Sequence, residues 1–386
     1  MSSNFLTSLD EDKNSQSSQS TVATCSYASS GQAFDLKKLL QYYVVDVLGE
    51  LAFSQSFGIQ EADDESLVPP VAEHTLLASV TGAWPSMTKT LKAWLPLLPY
   101  RPLQNLFEGR RACASLAAKC VEKRLSDLQD ARESGKVPSG QRKDILTNLI
   151  LARNPESGAL LSKIDLQTEA FGFVIAGTHT TYATATLLFY HLLHAPEHLS
   201  RCVAELDAAL PLLKDNEPAY AVTAVESSTQ FLKQCVKENF RITPIFTMPL
   251  ARRVIDPAGV TIGDNHFPQG TSLAVCNHAF HHDPAIWGPD HNVFNPSRWD
   301  EKANNDRARY LMHFGLGPRQ CIGKTVAMTN IYKLSSTLLR EFSFELADAE
   351  ERQAVDRGEF VGKLPKMYSV GISDLDGPLM VTARVR

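Results

Sequence analysis

From Phe34 onward the apolar positions recur at three- and four-residue spacing: Leu36, Leu39, Leu40, Tyr43, Val44, Val47, Leu48 and Leu51. That period marks one face of an α-helix, and Asp35 stands at its start as an N-cap. Residues 103–131 repeat the amphipathic pattern, 135–140 read as a loop, and a helix resumes over 144–152. The longest apolar-periodic run covers 164–194. It opens with Asp165, stops before Pro196 and is apolar almost all round, which predicts a central buried helix. Its middle carries the hexapeptide Ala176-Gly-Thr-His-Thr-Thr181, which a purely structural helix would avoid. Glycine costs about 1 kcal/mol there relative to alanine, and threonine lowers the propensity further. Another helix is predicted over 222–240. After it, 247–254, 260–262 and 271–279 alternate as short strands around the turn signals Pro257-Ala-Gly259 and Pro268-Gln-Gly270, and 324–340 returns to an amphipathic helix. The pattern predicts a mainly α fold with a small β content in its second half and no internal repeat. Residues 1–31, rich in Ser, Thr, Gln and Asn and without apolar periodicity, read as a disordered segment with no signal-peptide core, which leaves 32–386 as one domain.

Composition narrows the partners. The 386 residues are 44% hydrophobic and carry a net charge of −5, with no block of like charge, so nothing points to nucleic acid. The seven cysteines are odd in number and lack CxxC spacing, which reads as reduced intracellular thiols. The apolar stretch 42–53 is broken by Asp46 and Glu50, and no run approaches the roughly 18 apolar residues of a membrane span. The chain as written reads as soluble or at most peripheral to a membrane.

Candidate chemistry concentrates in Phe314-Gly-Leu-Gly-Pro-Arg-Gln-Cys321-Ile-Gly323. Three glycines and a proline hold a thiol on a short rigid loop, with Arg319 two residues before it and a helix just after. The helix dipole and the guanidinium both favour the thiolate, the form that ligates iron. Taken alone, such a loop also fits a core cysteine in a turn. Three further features precede it in order: Ala176-Gly-Thr-His-Thr-Thr181, then Glu238-Asn-Phe-Arg241, then Phe294-Asn-Pro-Ser-Arg298-Trp299. Each is weak by itself; a Glu and an Arg three apart on a helix is ordinary surface pairing.

In this order, with the cysteine loop about 80 residues after Glu238, they resemble the central helix, ExxR helix, meander and haem loop of the cytochrome P-450 family, most closely its fungal microsomal members. The resemblance covers the chain from about Phe34 to its end. It implies an orthogonal helix bundle with small β-sheets, lacking the N-terminal helices and strands that the family carries before this point. It implies haem b with Cys321 as the iron ligand, Phe314 packed near the sulfur, and Arg319 on a propionate, with Arg253 a second candidate for that role. Glu238, Arg241 and Arg298 would form a buried salt-bridge triad behind the loop, and Ser297 stands where the family usually has Glu. Ala176 and Gly177 would let haem and dioxygen approach the central helix. Thr180 matches the threonine that hydrogen-bonds bound dioxygen. His179 takes the place of the usual acid; an imidazole still relays protons near neutrality, the alternative being a helix residue turned to water.

Phe171, Phe173, Val174, Ile245, Phe246 and Met248 are candidate contacts for a lipophilic substrate, or partly ordinary core. The implied activity is that of a monooxygenase in fungal secondary metabolism. It would take electrons from NADPH-cytochrome P-450 reductase at the endoplasmic reticulum surface and insert one atom of O2. A haem-thiolate isomerase or dehydratase without reductase, and a non-catalytic truncated form, are the alternatives.

Overall fold

The computed structural model describes residues 27–133, 144–213, 219–300 and 306–386. The short strand β1 (Phe34–Asp35) runs directly into helix α1 (Leu36–Phe53), whose start is capped by the Asp35 carboxylate accepting from the Lys37 backbone N–H at 3.0 Å. The helices that build the site follow as α2 (Val71–Gly82), α3 (Thr88–Trp94), α4 (Arg101–Glu133), α5 (Lys163–Gly177), α6 (His179–Leu193), α7 (Pro196–Ala209), α8 (Gln230–Ile242), α9 (Asn277–His281) and α10 (Lys324–Glu341). Short strands lie between and after them: β2 (Arg252–Arg253), β3 (Val260–Ile262), β4 (Asn265–Phe267), β5 (Ser272–Leu273), β6 (Phe342–Leu346), β7 (Met367–Ser369), β8 (Ser373–Leu375) and β9 (Met380–Val385).

Three antiparallel pairs, β2 with β5, β3 with β4 and β7 with β8, stand apart from one three-stranded sheet in the order β1-β9-β6. In that sheet Phe34 lies opposite Val381 and Phe342 opposite Val385, so the strand that opens α1 pairs with the last strand of the chain. The main core fills the space between α1, α6, α8, α10 and this sheet, with Leu36, Leu187, Val236, Leu338 and Val381 fully enclosed. Each such side chain contributes roughly 1.5–3 kcal/mol by leaving water. A second core joins the end of α1 to α4 and α5 through Phe53, Cys113, Val121, Leu166 and Val174.

Several predicted elements are redrawn. The run 164–194 is two helices, not one: it breaks at Thr178 (φ −90°, ψ −77°), where the Thr178 hydroxyl donates to the Val174 carbonyl at 2.9 Å and the Thr180 hydroxyl to Ala176 at 2.8 Å. Hydroxyls that back-bond to carbonyls four residues earlier compete with the helix ladder and bend it. Nor is the first half buried all round, since α5 encloses only Leu166, Ala170 and Val174 and leaves Ile164 exposed. Its cap is Ser162, with Asp165 completing a reciprocal capping box from the third helical position.

The predicted helix over 222–240 splits at Thr229 into Val222–Ser228 and α8. Of the predicted strand 271–279 only β5 is strand; 274–276 are irregular and α9 begins at Asn277. The segment read as disordered has an ordered end: residues 27–30 form a helical turn, and the Tyr27 ring stacks on Phe34 at 4.5 Å. Residues 1–26 and the predicted loop at 135–140 lie outside the described residues. Among the described residues no helix is long and apolar enough to cross a membrane.

Candidate functional site

The cysteine loop leaves the core at Leu311 and re-enters it along α10. Gly315 and Gly317 take φ of +69° and +70°, a left-handed backbone that favours glycine, and the Cys321 N–H donates to the Phe314 carbonyl at 2.8 Å. This closes the loop below the sulfur and leaves Cys321 exposed, beside Leu316 at 58% exposure and Ile322 at 100%. Phe314 points back into the core, where its ring meets Phe240 of α8 at 5.2 Å. Arg319 and Arg253 are both exposed, and among the described residues neither is paired with a carboxylate.

Behind the loop, α8 supplies Glu238 and Arg241, each fully buried. Arg241 donates to Glu238 from Nε at 3.0 Å and from Nη2 at 2.7 Å. Glu238 also accepts from the Asn295 backbone N–H at 3.2 Å and from Trp299 Nε1 at 3.1 Å, while Arg298 Nε lies 3.5 Å away. The predicted triad is therefore assembled. The predicted set lacked a fourth member, Asp290, whose carboxylate takes Arg298 Nη2 at 2.6 Å and Nη1 at 3.0 Å. Ser297, where a second acid was absent, accepts from Arg201 instead at 2.9 Å.

The triad reaches the cysteine loop through identifiable bonds. Arg241 Nη1 donates to the His281 carbonyl at 3.0 Å, and the Met312 N–H donates to His281 Nε2 at 2.9 Å. Asn277 Nδ2 bridges the carbonyls of Phe246 and Met312, at 3.4 Å each. Burial first, and then the nearby Arg241 charge, pull the His281 imidazole down to about 4, so it is neutral and free to accept that N–H. One arginine thus clamps α9, and α9 clamps the start of the loop.

At the break between α5 and α6, Ala176 is exposed and Thr180 half-exposed one turn later on the same face, joined by the threonine hydroxyl bond. Gly177 does not open that face. A Cβ there would meet Leu48 Cδ1 of α1 at 2.9 Å, so this glycine serves the packing of α5 on α1. His179 points the other way as well. It is 1% exposed, which corrects the alternative of a residue turned to water; its ring stacks on Tyr182 at 5.1 Å, and Nε2 lies 3.4 Å from Asp374 Oδ2.

Asp374, on β8, was not anticipated. It pairs with Lys37 at 3.0 Å and accepts from the Tyr182 hydroxyl at 3.3 Å, and its carboxyl is held below the usual range by His179 and Lys37 against the opposing pull of burial. Of the candidate substrate contacts, Val174 and Ile245 are buried core, whereas Phe171, Phe173, Phe246 and Met248 are half-buried.

An exposed thiol with bare apolar side chains and the unpaired Arg319 guanidinium on the same short loop suits an apolar, anionic group that carries a metal for the sulfur. The family's sequence profile, Cytochrome P-450, matches residues 13–372, and the chain belongs to that family. It is 31% identical over 324 residues to the cytochrome P-450 monooxygenase gsfF of Penicillium aethiopicum, covering 82% of this chain and 62% of that protein. To the cytochrome P-450 monooxygenase ACRTS1 of Alternaria alternata it is 27% identical, over 83% of this chain and 84% of that one. The crystal structure of a cytochrome P-450 superposes on 98% of this chain and 75% of its own with a TM-score of 0.73 at 18% identity, which shows the shared fold. The chain spans a little under two thirds of the length of gsfF and of pkfB of Emericella nidulans, 62% and 61%.

Proposed function

We propose that this chain carries the haem-binding and oxygen-handling part of a cytochrome P-450 monooxygenase acting on a lipophilic small molecule, with electrons from a flavoprotein reductase such as NADPH-cytochrome P-450 reductase. The observation that carries it is Cys321 held exposed on a loop braced from behind by the Glu238–Arg241–His281–Met312 chain of bonds. Haem b would be held by the Cys321 thiolate, with Arg319 and Arg253 on its propionates and Phe314 packed behind the sulfur. When bound, a thiolate-ligated haem supplies the electron-rich iron that favours O–O cleavage.

The chain's own residues would do the rest. Ala176 leaves room on the distal face, since its side chain is one methyl group. Thr180 can turn its hydroxyl from the Ala176 carbonyl to a bound ligand and hold or pass a proton there. His179, clamped between Tyr182 and Asp374, positions Thr180 by fixing the start of α6, and any proton it supplies comes from the Asp374 side of the helix. Phe173, Phe246 and Met248 offer apolar surface to the substrate. The monooxygenase names of the relatives support this reading over an isomerase or dehydratase, and so does Thr180, a hydroxyl that oxygen activation uses.

The test is reconstitution with haem, reduction and addition of carbon monoxide. The parent chain should give the strongly red-shifted Soret band of thiolate ligation, and Cys321→Ser should lose it while keeping its far-UV circular dichroism. A parent chain that folds and gives no such band, or a mutant that retains it, overturns the assignment.

A further inference from the structure

Asp374 of β8 gathers four groups on one buried oxygen. Its Oδ2 takes Lys37 of α1 at 3.0 Å, the Tyr182 hydroxyl of α6 at 3.3 Å and the Tyr368 hydroxyl of β7 at 3.4 Å, with His179 Nε2 at 3.4 Å. The last three contacts are long because so many groups share a single atom. Oδ1 is turned away, to the Leu375 backbone N–H at 2.7 Å. Lys37 alone balances the charge, and it also donates to the Leu375 carbonyl at 2.6 Å. A buried phenol needs some acceptor, but two phenols from different elements meeting on one ionised oxygen is a more particular arrangement.

The two phenols differ in their surroundings. Tyr182 is 7% exposed, and its ring stacks on His179 at 5.1 Å, two residues after Thr180 at the break between α5 and α6. Tyr368 is 38% exposed, with Lys37 Nζ 5.5 Å from its ring centroid. One ring thus lies inside, beside the break, and the other at the surface, with Asp374 between their hydroxyls. Burial first, and then the Asp374 charge, push both phenols up, Tyr368 to about 12. The charges of Glu73 and, at Tyr368, Asp376 act in the same direction. Against the pull of burial, the His179 hydrogen bond and the Lys37 charge keep the Asp374 carboxyl below its usual range. Near neutrality both phenols are therefore protonated and the carboxylate is ionised. A phenol gives up an electron far more readily when a base takes its proton in the same step, and Asp374 is placed to be that base for both rings.

We propose that Tyr182, Asp374 and Tyr368 form a redox-active site that passes electrons one at a time from a thiol at the surface to an oxidant beside α6. Tyr182 gives an electron to the oxidant and its hydroxyl proton to Asp374 Oδ2, which leaves a neutral phenoxyl radical. Tyr368 then gives an electron to that radical. Tyr182 takes its proton back from Asp374, and the Tyr368 proton moves onto the same oxygen. A thiolate in solution returns the electron to the exposed Tyr368 radical, which recovers its proton from Asp374. Two such passages, with the two protons released by two thiols, reduce one hydroperoxide to an alcohol and water and leave one disulfide. That the oxidant is a hydroperoxide reacting at haem rests on the proposed function; the tyrosine site itself does not.

The test is high-field electron paramagnetic resonance on the whole chain without haem, flash-oxidised by ruthenium(III) tris(bipyridine) and frozen. The parent should give a tyrosyl component whose lowered g-value marks a proton donor at the phenoxyl oxygen. Asp374→Asn and the double variant Tyr182→Phe/Tyr368→Phe should each reduce that component at least fivefold, whereas Tyr100→Phe, at a tyrosine 62% exposed, should leave it unchanged. Tyr368→Phe alone keeps the ring and should make the remaining radical decay at least fivefold more slowly in glutathione. In the haem-loaded chain, cumene hydroperoxide should raise the same component with no ruthenium present. A flash-oxidised parent without the component, or a component unmoved by the double phenylalanine variant, overturns the site. Because that arm contains no haem, its result stands whether or not the carbon monoxide band of thiolate ligation is found. A chain that shows the band and gives no tyrosyl component with hydroperoxide overturns the electron path to α6.

Discussion

Replacing Glu238 by alanine should be the most damaging single change behind the cysteine loop. The carboxylate is fully buried and takes two donors from Arg241, at 2.7 and 3.0 Å, one from the Asn295 backbone at 3.2 Å and one from Trp299 at 3.1 Å. A hydrogen bond to a charged group contributes about 1.5–3 kcal/mol, but the four are not additive. What sets the cost is the Arg241 guanidinium left with 0% exposure and no counter-charge. Breaking a buried pair from one side costs about 3–5 kcal/mol, a large share of the roughly 5–15 kcal/mol that holds a domain folded. Arg241 would retain the carbonyls of His281, His291 and Val293, which soften the loss without supplying a negative charge. The assay is urea unfolding followed by far-UV circular dichroism, with Lys163→Ala as the comparison. Lys163 pairs with Glu122 at 2.8 Å, but both side chains are more than half exposed, and such a pair contributes under about 1 kcal/mol. Glu238→Ala should lose several times more than Lys163→Ala and should fail to retain haem. If the two variants unfold at the same urea concentration, the buried triad contributes nothing net and the bracing argument for the cysteine loop is wrong.

Acid should destabilise the chain before its carboxylates are protonated. Burial pulls His191 down to about 3 and His281 to about 4, against about 6.5 in an unfolded chain, so above pH 6.5 both states are neutral and nothing is lost. Below it only the unfolded chain takes the protons, and each histidine removes about 1.4 kcal/mol per pH unit until its folded pKa is reached. His191→Asn should flatten the urea midpoint between pH 6 and pH 4 on that arithmetic, and an unchanged slope would contradict it. Asp374→Asn removes the charge facing Lys37 and His179 and should cost about 2–3 kcal/mol in the same assay; a loss below about 0.5 kcal/mol would show that the pairing is idle. Thr180→Val should leave the carbon monoxide spectrum intact while shifting electrons from product to peroxide in the reconstituted enzyme, and unaltered coupling would remove Thr180 from oxygen handling.

The motifs that carry local geometry were legible because each depends on a short span of chain. The glycines of the cysteine loop take their positive φ values wherever the loop sits, Asp35 caps α1 two residues away, and Glu238 and Arg241 meet because a helix brings positions three apart together. Other facts depend on parts of the chain remote in sequence. Gly177 reads as a distal-face residue until α1 is packed against it and Leu48 fills the space a Cβ would need. His179 reads as a proton relay beside Thr180, or as a helix residue turned to water, until β8, nearly two hundred residues later, sets Asp374 beside its ring. The break at Thr178 could be suspected from three threonines around a glycine, yet periodicity over 164–194 ran straight through it, because apolar spacing records which face is buried and not where the ladder is interrupted. Strands β1 and β9, two and six residues long, carry too short a pattern to announce a pairing that only the closed fold supplies. Sequence alone thus fixed the residues that present the thiol and the pair that braces it, since those are set within one loop and one helix. Tertiary structure decided which way His179 faces and what joins Arg241 to the loop, since each of these is a contact between elements that the chain brings together only by folding.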